Sequence, residues 1–367
     1  MALALYRKYR PKKLENLLGQ ETNVQILKNA AKSGKLGHAY LFYGPRGTGK
    51  TSTARLIAKL LNCEKRRDDE NFRKVGEPCN ECRSCREIDT QTSFDVVEID
   101  AASNRGIDEI RNLKDGIRTS PAVGSYKVYI IDEVHMLTTA AFNALLKTLE
   151  EPPAHAVLIL ATTEYEKLPA TITSRVQRFL FKKQPKAKIM EKLAAVAEGE
   201  KIQIEEPALE LIAAVAEGSF RDAESLLEQI SSLQSKIDLA AVERITGRTG
   251  LKKVRELAAL IAKRDLGNSI KYLTALNEEG HNLTQFTKDL IHYWRRVLAL
   301  KMSPGVEQAL RGELISEELE EVKKLGATVD TPFMVKLIKS LIIAYSEMRY
   351  SPFAAVPLEV VLIENLS

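Results

Sequence analysis

Short apolar runs separated by polar or Gly/Pro-containing segments dominate the first 180 residues. Several runs are continuously apolar, as expected of strands that are buried on both faces of a parallel sheet. Between them, stretches such as Thr51–Leu61 and Ala140–Leu149 have the apolar spacing of amphipathic helices. The alternation predicts an α/β domain over residues 1–180. The predicted strands are His38–Tyr43, Asp95–Ile99, Lys127–Ile131, Val157–Ala161 and Arg178–Phe181.

Beyond residue 185 the pattern predicts helices only. A first helix with one apolar face is expected to stop at Gly218 and Ser219, before a second helix over Arg221–Ile230. A turn-rich stretch at 245–251 separates this small region, 181–245, from an all-helical region, 246–367. The apolar face of the first helix comprises Leu209, Ile212, Ala213 and Ala216. Two further apolar stripes, expected to be core or subunit interface, are Phe286, Leu290, Tyr293, Trp294, Val297 and Met334, Leu337, Ile338, Leu341, Ile342.

The composition is ordinary for a folded chain of 367 residues, with 44% hydrophobic and 28% charged residues, and it argues against disorder. Basic residues outnumber acidic ones by 54 to 49, a net charge of +5 that is too small for a bulk polycation. No apolar run approaches the roughly 18 residues that cross a bilayer, and the first residues lack a secretion signal. We therefore expect a cytoplasmic enzyme or assembly subunit with no membrane partner.

The four cysteines of the chain lie in one short stretch, with the spacing C-x15-C-x2-C-x2-C. A disulfide framework would spread them along the chain, and a cytoplasm would reduce them. The spacing instead favours one tetrahedral zinc site, with four reduced thiols as the alternative. The charged stretch Glu64–Pro78 is expected to be a solvated excursion closed off by the metal. The proposed ligands are Cys63, Cys79, Cys82 and Cys85.

The segment GPRGTGKT matches G-x-x-x-x-G-K-[ST] between a predicted strand and a predicted helix, the context that distinguishes a phosphate-binding loop from a chance match. Its glycines let backbone N–H groups converge on phosphates, and the helix start adds partial positive charge. Lys50 is predicted to neutralise the β- and γ-phosphates, and the Thr51 hydroxyl to bind Mg²⁺. The predicted nucleotide-binding residues here are Gly44, Pro45, Arg46, Gly47, Thr48, Gly49, Lys50, Thr51 and Ser52.

The segment VYIIDEVHML places two carboxylates at the C-terminal end of a buried strand, where ligands bind in open α/β sheets. Asp132 is predicted to orient Mg²⁺, and Glu133 to polarise the attacking water. Capping of the next helix is the structural alternative for both carboxylates. His135 is predicted to be either a buried structural histidine or a phosphate sensor.

Together with ATT (Ala161–Thr163), SRV (Ser174–Val176) and GSFRDAESLL, these motifs resemble an AAA+ ATPase. A finer resemblance, dense from Leu5 to Gln229, is to the gamma/tau subunits of the bacterial DNA polymerase III clamp loader. It implies an α/β P-loop AAA+ domain with a parallel sheet and a zinc insertion at 63–85, then a small helical lid and an all-α collar. The stretches that carry it are LYRKYRP, HAYLFYGPRGTGKTS, EIDAAS, KVYIIDEVHMLTTAAFNALLKTLEEPP and LATTEYEKLPATITSR.

The resemblance also implies roles for residues outside the two motifs. Thr163 corresponds to a first sensor that reads the γ-phosphate, and Arg221 to a second sensor that reaches its own nucleotide. Arg175 corresponds to an arginine finger that acts on ATP held by a neighbouring subunit. A solvated charge or a structural ion pair is the alternative for each arginine. The residues implied near the adenine are Tyr6, Arg10 and Pro11.

Two departures from the family pattern occur. Val176 stands where the family usually has a cysteine, and the spacing between Cys63 and Cys79 is longer than usual. The arginine of the finger and the number of thiol ligands are unchanged, and a longer loop between ligands costs little. We therefore expect no functional loss from either departure.

The implied activity is ATP-driven loading of the sliding clamp onto primed DNA, with ATP, Mg²⁺ and Zn²⁺ as cofactors. The implied partners are delta, delta-prime and further gamma/tau copies, the clamp, and primer–template DNA gripped by its phosphates. Arg105, beside Asn104 and Gly106, is the candidate phosphate contact, with a solvated arginine as the alternative. A finger supplied in trans is worth about 10³–10⁵ in rate, so the isolated chain is expected to hydrolyse ATP poorly.

Other functions stay open at this point. A branch-migration or helicase-loading AAA+ protein usually appends a winged-helix domain, and no strand pattern after residue 185 supports one. A non-catalytic scaffold would have lost its nucleotide site, whereas Lys50, Thr51, Asp132 and Glu133 are all present. A polymerase site of its own is not expected, because the sequence has no second acidic constellation.

Overall fold

The computed structural model describes residues 3–104, 113, 115–233, 236–246, 251–307, 310, 316–351, 353 and 355–367. By its internal contacts the chain divides into two compact units. The first comprises residues 1–184 and 216–225, and the second comprises residues 185–215 and 226–367. The domain boundaries expected at residues 180 and 245 remain predictions.

A five-stranded parallel sheet forms the centre of the first unit, with the strand order β2-β3-β4-β1-β5. Each strand begins and ends within one residue of its predicted bounds, so the predicted α/β class is confirmed. Because parallel strands end at the same edge of a sheet, the residues that follow β1, β3 and β4 come together there. The strands are β1 (Ala39–Tyr43), β2 (Val96–Asp100), β3 (Lys127–Asp132), β4 (Ala156–Thr162) and β5 (Gln177–Leu180).

Helices cover both faces of this sheet, which explains why the central strands β1, β3 and β4 have nearly continuous apolar sequences. Tyr40 and Phe42 of β1 belong to a buried cluster with residues of α2 and α3, whereas Leu41 belongs to a second cluster with residues of α7. The α-helices before residue 184 whose bounds the structure describes are α1 (Leu5–Lys8), α2 (Glu21–Lys32), α3 (Lys50–Asn62), α4 (Glu64–Asp68), α5 (Glu70–Arg73), α6 (Arg83–Thr90), α7 (Thr139–Glu150) and α8 (Ala170–Thr173).

The charged stretch between the first two cysteines is exposed over most of its length, as expected of a solvated excursion. It also forms α4 and α5, and within it Arg66 and Glu77 are buried. Arg66 donates to the carbonyl oxygens of Leu60 at 3.1 Å and Ala31 at 3.0 Å. A buried guanidinium is tolerated here because backbone acceptors replace its hydration. Arg66 therefore anchors this mostly exposed segment to the first unit.

Helices make up most of the second unit, as predicted, but two short strands were missed. β6 (Gln203–Ile204) and β7 (Lys236–Ile237) pair in parallel over two residues each. Two residues are too few for an alternating pattern to be recognised in the sequence. Beyond residue 185, the α-helices with described bounds are α9 (Lys186–Glu200), α10 (Glu206–Val215), α11 (Phe220–Ser231), α12 (Leu239–Thr246), α13 (Leu251–Ala262), α14 (Leu266–Glu278), α15 (Leu283–Met302), α16 (Ser316–Thr328), α17 (Thr331–Met348) and α18 (Val356–Leu366).

The two predicted apolar stripes lie on α15 and α17 and enter one shared core. All five stripe residues of α15 are buried, including Trp294 and Phe286. On α17, Ile342 does not enter this core: its side chain is half exposed, because the helix turns that position away from the core. Among the described residues, no helix combines the length and the apolar character needed to cross a membrane.

Candidate active site

The loop Gly44–Thr51 leaves the end of β1 and leads directly into α3. Gly44 donates its N–H to the carbonyl oxygen of Thr162 on neighbouring β4 at 3.2 Å, which anchors the loop to the sheet edge. Gly49, immediately before the helix, has a φ of 102°, a conformation that favours glycine. Of the other loop residues, the Thr48 hydroxyl donates to the Pro45 carbonyl at 2.8 Å, and Arg46 is exposed.

The start of α3 has the features of an anion site. Within the described part of the chain, no protein group accepts a hydrogen bond from the backbone N–H groups of residues 49–52, and Gly49 provides no side-chain cap. The first N–H groups of a helix need an acceptor, and the helix dipole favours a negative one. Phosphate oxygens fit this requirement, so the loop fits a nucleotide.

Lys50 is buried, with 6% of its surface exposed. Its Nζ donates to the carbonyl oxygens of Gly44 at 2.7 Å and Pro45 at 2.8 Å. Burial lowers the pKa of Lys50, and the nearby carboxylates of Glu133 and Asp132 oppose that effect. A buried ammonium held only by neutral carbonyls gains strongly from an anion, so Lys50 is placed to bind phosphate.

Thr51 and Asp132, predicted to share Mg²⁺, lie within hydrogen-bond distance. The Thr51 hydroxyl donates to Asp132 Oδ2 at 2.8 Å, and the backbone N–H of Glu133 donates to Asp132 Oδ1 at 2.9 Å. A hydroxyl beside a carboxylate is an oxygen set of the kind that Mg²⁺ accepts. The pair therefore fits the metal that the phosphate loop implies.

Glu133 and Thr163, the predicted water-polarising base and first sensor, are bonded to each other. Glu133 has a left-handed backbone with a φ of 48°. Its Oε2 accepts hydrogen bonds from the Thr163 hydroxyl at 2.9 Å and the Thr163 N–H at 3.2 Å. Since β3 and β4 are neighbours, these two residues follow adjacent strand ends. The structure thus brings together two residues that lie 30 positions apart in the sequence.

His135 is enclosed, with 6% of its side chain exposed. Its Nδ1 lies 2.9 Å from the Thr162 hydroxyl oxygen and 3.4 Å from Glu133 Oε2, and its Nε2 lies 3.1 Å from Glu164 Oε1. Both ring nitrogens are therefore engaged by protein groups. This arrangement matches the structural histidine more closely than a group that awaits a phosphate.

Arg221 lies beside the phosphate loop, within the first unit. A Cβ placed on Gly47 would lie 3.3 Å from Arg221 Cβ, and the backbone N–H of Phe220 donates to the Gly47 carbonyl at 3.1 Å. The Arg221 guanidinium stacks on the Tyr6 ring, 4.8 Å from its centroid. Stacked side chains of this kind suit a planar or anionic ligand.

The other residues predicted near the adenine are less directly linked to the loop. Arg10 and Pro11 are half-buried. Burial lowers the pKa of Arg10 to about 10, helped by the charge of Arg55, whereas Glu98 raises it. Arg55 and Glu98 are themselves an ion pair at 2.6 Å. Arg10 therefore belongs to a charged group between the chain's start, α3 and β2.

Arg175 is paired at the end of α7 rather than placed against the phosphate loop. Its Nε donates to Glu150 Oε1 at 2.8 Å and its Nη1 to the Thr171 carbonyl at 2.8 Å, with 35% of its side chain exposed. The hydrogen-bond partners of Arg175 thus lie outside the nucleotide loop.

The predicted DNA contact, Arg105, and its neighbour Gly106 lie outside the described residues. Asn104, on the other side of Arg105, donates its side-chain N–H to the Asp100 carbonyl.

The four cysteines form a compact cluster. Their sulfur atoms all lie within 4.8 Å of one another, and none is in a disulfide. Tetrahedral zinc with Zn–S bonds of about 2.3 Å requires sulfurs about 3.8 Å apart. Backbone N–H groups donate to three of the sulfurs: Cys79 to Cys63 at 3.4 Å, Cys82 to Cys79 at 3.3 Å and Cys85 to Cys82 at 3.5 Å.

The cysteines differ in their pKa: burial raises the pKa of Cys79, and the hydrogen bond to Cys63 raises that of Cys85. The pKa of Cys63 is lowered to about 5, by a hydrogen bond from Cys85 and by backbone N–H groups against the effect of burial. A set of four thiolates is compatible with Zn²⁺, which binds the deprotonated form.

Several residues that contact the site were not predicted from the sequence. Ser219, whose hydroxyl lies against Gly47, stands in the quoted GSFRD motif but was considered only as a helix stop. Gln20 is buried and donates to the Thr48 carbonyl at 3.4 Å and the Lys182 carbonyl at 3.2 Å. Glu164, which engages His135, follows the ATT motif directly. Only the adjacency of Ser219 and Glu164 to motifs could have indicated them.

Comparison with known families agrees with this geometry over nearly the whole chain. Residues 19–185 match the family described as DNA polymerase III, delta subunit. Residues 188–232 match the ATPase lid domain of the DNA polymerase III clamp loader subunit. Residues 237–367 match domain III of the DNA polymerase III subunits gamma and tau.

Curated relatives extend along almost the full chain. The DNA polymerase III subunit tau of Bacillus subtilis is 42% identical over 364 residues, which cover 98% of this chain and 62% of that protein. The subunit tau of Escherichia coli is 36% identical over 367 residues, which cover 99% of this chain and 55% of that protein. The chain therefore spans less than two thirds of the length of these relatives.

The strand order, the phosphate loop and the acidic strand end define an AAA+ fold of the P-loop ATPase class, followed by a lid and a helical domain. Within that class, the chain belongs to the gamma/tau family of DNA polymerase III clamp-loader subunits. A solved structure titled as the Holliday junction branch migration motor RuvB of Thermotoga maritima is also similar, at 19% identity and a TM-score of 0.47. That alignment covers 69% of this chain and 78% of the other, and nothing further follows from it.

Gly47 provides a test of the contact between the phosphate loop and Ser219. Its φ is 73°, and an added Cβ would lie 1.9 Å from Ser219 Oγ and 2.9 Å from Ser219 Cβ. We expect Gly47→Ala to lower the free energy of unfolding through both backbone strain and this overlap. Gly34→Ala is a matched control, because Gly34 has a φ of 68° with no heavy atom within 4 Å of an added Cβ.

Thermal unfolding of both variants measures the difference. The shared backbone cost is about 1–2 kcal/mol, and the overlap should add about 1–3 kcal/mol for Gly47→Ala alone. Equal losses of stability in the two variants would contradict the close approach of Ser219 to the loop.

Proposed function

We propose that the chain is the ATP-driven motor subunit of a bacterial clamp loader, which hydrolyses ATP to open the sliding clamp and load it on primed DNA. The observation that carries this proposal is the arrangement around the phosphate loop. Residues 219–221 are in contact with Gly47, and the Thr51 hydroxyl donates a hydrogen bond to Asp132 at the edge of the sheet. In a member of the clamp-loader family, these groups combine phosphate binding, metal binding and a basic side chain in one site.

In this proposal, the phosphates of ATP take the hydrogen bonds offered by the N–H groups at the start of α3. Lys50 transfers its Nζ from the carbonyls of Gly44 and Pro45 to phosphate oxygens, which offer charge-assisted bonds. Arg221 reaches the same phosphates from its place beside Gly47. Magnesium, held by Thr51 and Asp132, would supply Lewis-acid stabilisation of the charge that develops on the phosphates.

Glu133 holds the attacking water and accepts its proton in this proposal. Its Oε2 now accepts two hydrogen bonds from Thr163. In this proposal Thr163 reads the γ-phosphate, and its hydrogen bonds to Glu133 connect that sensor to the base. His135, bonded to Thr162 and Glu164, supports the backbone of this strand end.

Arg175 acts in trans, on ATP bound by a neighbouring subunit. Its partner Glu150 is about half exposed, and an exposed ion pair contributes little stability. A phosphate from a neighbouring subunit can therefore replace Glu150 at low cost. The neighbours are delta, delta-prime and further gamma/tau copies. Duplex DNA is held by phosphate contacts, for which Arg105 stays the candidate.

ATP hydrolysis tests the proposal most fully. The wild-type chain alone should be slow, and primed DNA, clamp, delta and delta-prime should stimulate it strongly. In that full set, Arg175→Ala should reduce the stimulated rate by about 10³-fold or more, with ATP binding by the chain retained. Steady-state phosphate release gives the rates, and nucleotide titration gives the binding.

Arg83→Ala is the matched control, since Arg83 also pairs with a glutamate, Glu87, and is mostly exposed. Its stimulated rate should equal that of the wild type. An isolated chain that is already fully active, together with an Arg175→Ala variant that behaves like the wild type, would contradict action in trans.

We propose further that Cys63, Cys79, Cys82 and Cys85 hold one structural zinc ion. Purified protein should contain about one equivalent of zinc by mass spectrometry of the metal, and its native thiols should react slowly with a disulfide reagent. Cys85→Ser, which removes one buried sulfur, should lose most of the metal. Protein without zinc, whose four thiols all react at once in the native state, would contradict this assignment.

A further inference from the structure

A buried carboxylate joins the four-cysteine cluster to the start of the chain. Glu77, two residues before Cys79, is only 3% exposed. Its Oε2 accepts the N–H of Leu14 at 2.7 Å, and its Oε1 accepts the N–H of Glu15 at 3.2 Å. The ammonium of Lys28, on α2, lies 3.0 Å from the same Oε1. Glu77 thus caps the 3₁₀ turn Leu14–Asn16, whose own preceding residue provides no side-chain cap.

The segment that Glu77 holds, residues 14–20, runs on to the phosphate loop. Leu17, which follows the capped turn, is buried and places its Cδ2 3.6 Å from the Cβ position of Gly49. Gln20 donates to the carbonyl of Thr48. Thr48 and Gly49 are the two loop residues directly before α3. A displacement of residues 14–20 therefore removes packing from the backbone that presents its N–H groups to phosphate.

Two further contacts connect the region around the cysteines to α3 and α2. Lys59 of α3 is buried, and its Nζ pairs with the Asp89 carboxylate and donates to Asn80 Oδ1 at 3.0 Å. Arg66 bonds the carbonyl at the end of α2. Cys63 itself follows the last residue of α3. The position of Glu77 is consequently tied to the folding of the cluster.

We propose that Glu77 is a positioning residue of the nucleotide site. Its carboxylate fixes residues 14–20 against the phosphate loop, and the ordered cysteine cluster fixes Glu77. Loss of the metal therefore weakens nucleotide binding, although no cysteine contacts the nucleotide. This inference rests on the proposed nucleotide site at residues 44–51 and adds a dependence of that site on the cluster.

Titration with a fluorescent ADP analogue in the presence of Mg²⁺ tests the inference on the full chain. Glu77→Gln should bind about tenfold more weakly than the wild type, within the range in which residues between coupled sites act. Its zinc content should stay at the wild-type level. Glu70→Gln is the matched control, because Glu70 lies in the same region with its side chain 79% exposed, and its affinity should not change.

Removing the metal with a chelator distinguishes a positioning role of Glu77 from a general effect on protein stability. Removal of the metal from the wild type should weaken ADP binding by a similar factor. Removal from Glu77→Gln should add little, because the connection is already broken. In the wild type, the backbone amides of Leu14 and Glu15 should exchange hydrogen faster after metal removal, a readout that needs no variant.

The following results would contradict the inference, and they distinguish its failure from a failure of the proposed nucleotide site. A Glu77→Gln variant with a lower unfolding temperature but unchanged ADP affinity would overturn the inference and leave the nucleotide site in place. Unchanged exchange at Leu14 and Glu15 after metal removal would overturn it as well. A wild-type chain that binds no ADP would overturn the proposed function and this inference together.

Discussion

The site depends on the parallel pairing of β1 with β4 on one side and β5 on the other. This order places the phosphate loop, which follows β1, next to the end of β4, and β3 follows on the far side of β4. Thr51, Asp132 and Thr163 are far apart in the sequence, yet Asp132 is the last residue of β3, Thr163 directly follows β4, and Thr51 lies in the first turn of α3, which follows the phosphate loop. Any strand order that separated β1 from β4 would separate the phosphate loop from Glu133 and Thr163.

The helix α3 imposes a second constraint, because its start borders the phosphate loop and its end leads into the cysteine cluster. Its start offers N–H groups and Lys50 to an anion, and its end leads into Cys63 of the sulfur cluster. Lys59, near that end, is buried, and its Nζ contacts Asp89 and Asn80 in the region of the cluster. An element with a rigid backbone that is fixed at both ends gives the two sites a physical reason to influence one another.

Local patterns in the sequence were sufficient for the sheet and for the phosphate loop. The bounds of the central strands β1, β3 and β4 were correct to within one residue because each is a continuous apolar run between polar segments. The errors arose where partners are distant. Glu77 looked solvated in a charged stretch, but its donors at Leu14 and Glu15 lie more than 60 residues away.

The same limit applies to Ile342 and to the place of Arg221 on Tyr6. An apolar residue at helical spacing predicts a helix face, but only packing decides how wide the buried face is, and on α17 it ends before Ile342. The stacking of Arg221 on Tyr6 joins two segments more than 200 residues apart. No local pattern encodes such a contact, so the family resemblance was the only available guide to the role of Arg221.

Equilibrium binding of ATP to the isolated chain, measured by calorimetry with and without Mg²⁺, tests the central claim most directly. The account predicts one ATP per chain, with affinity reduced when Mg²⁺ is absent, because Thr51 and Asp132 then lack the cation between them and the phosphates. Lys50→Met should abolish this binding without unfolding the protein, whereas the exposed Lys35→Met should bind as the wild type does. Undiminished ATP binding by Lys50→Met would contradict the assignment of the nucleotide to this loop.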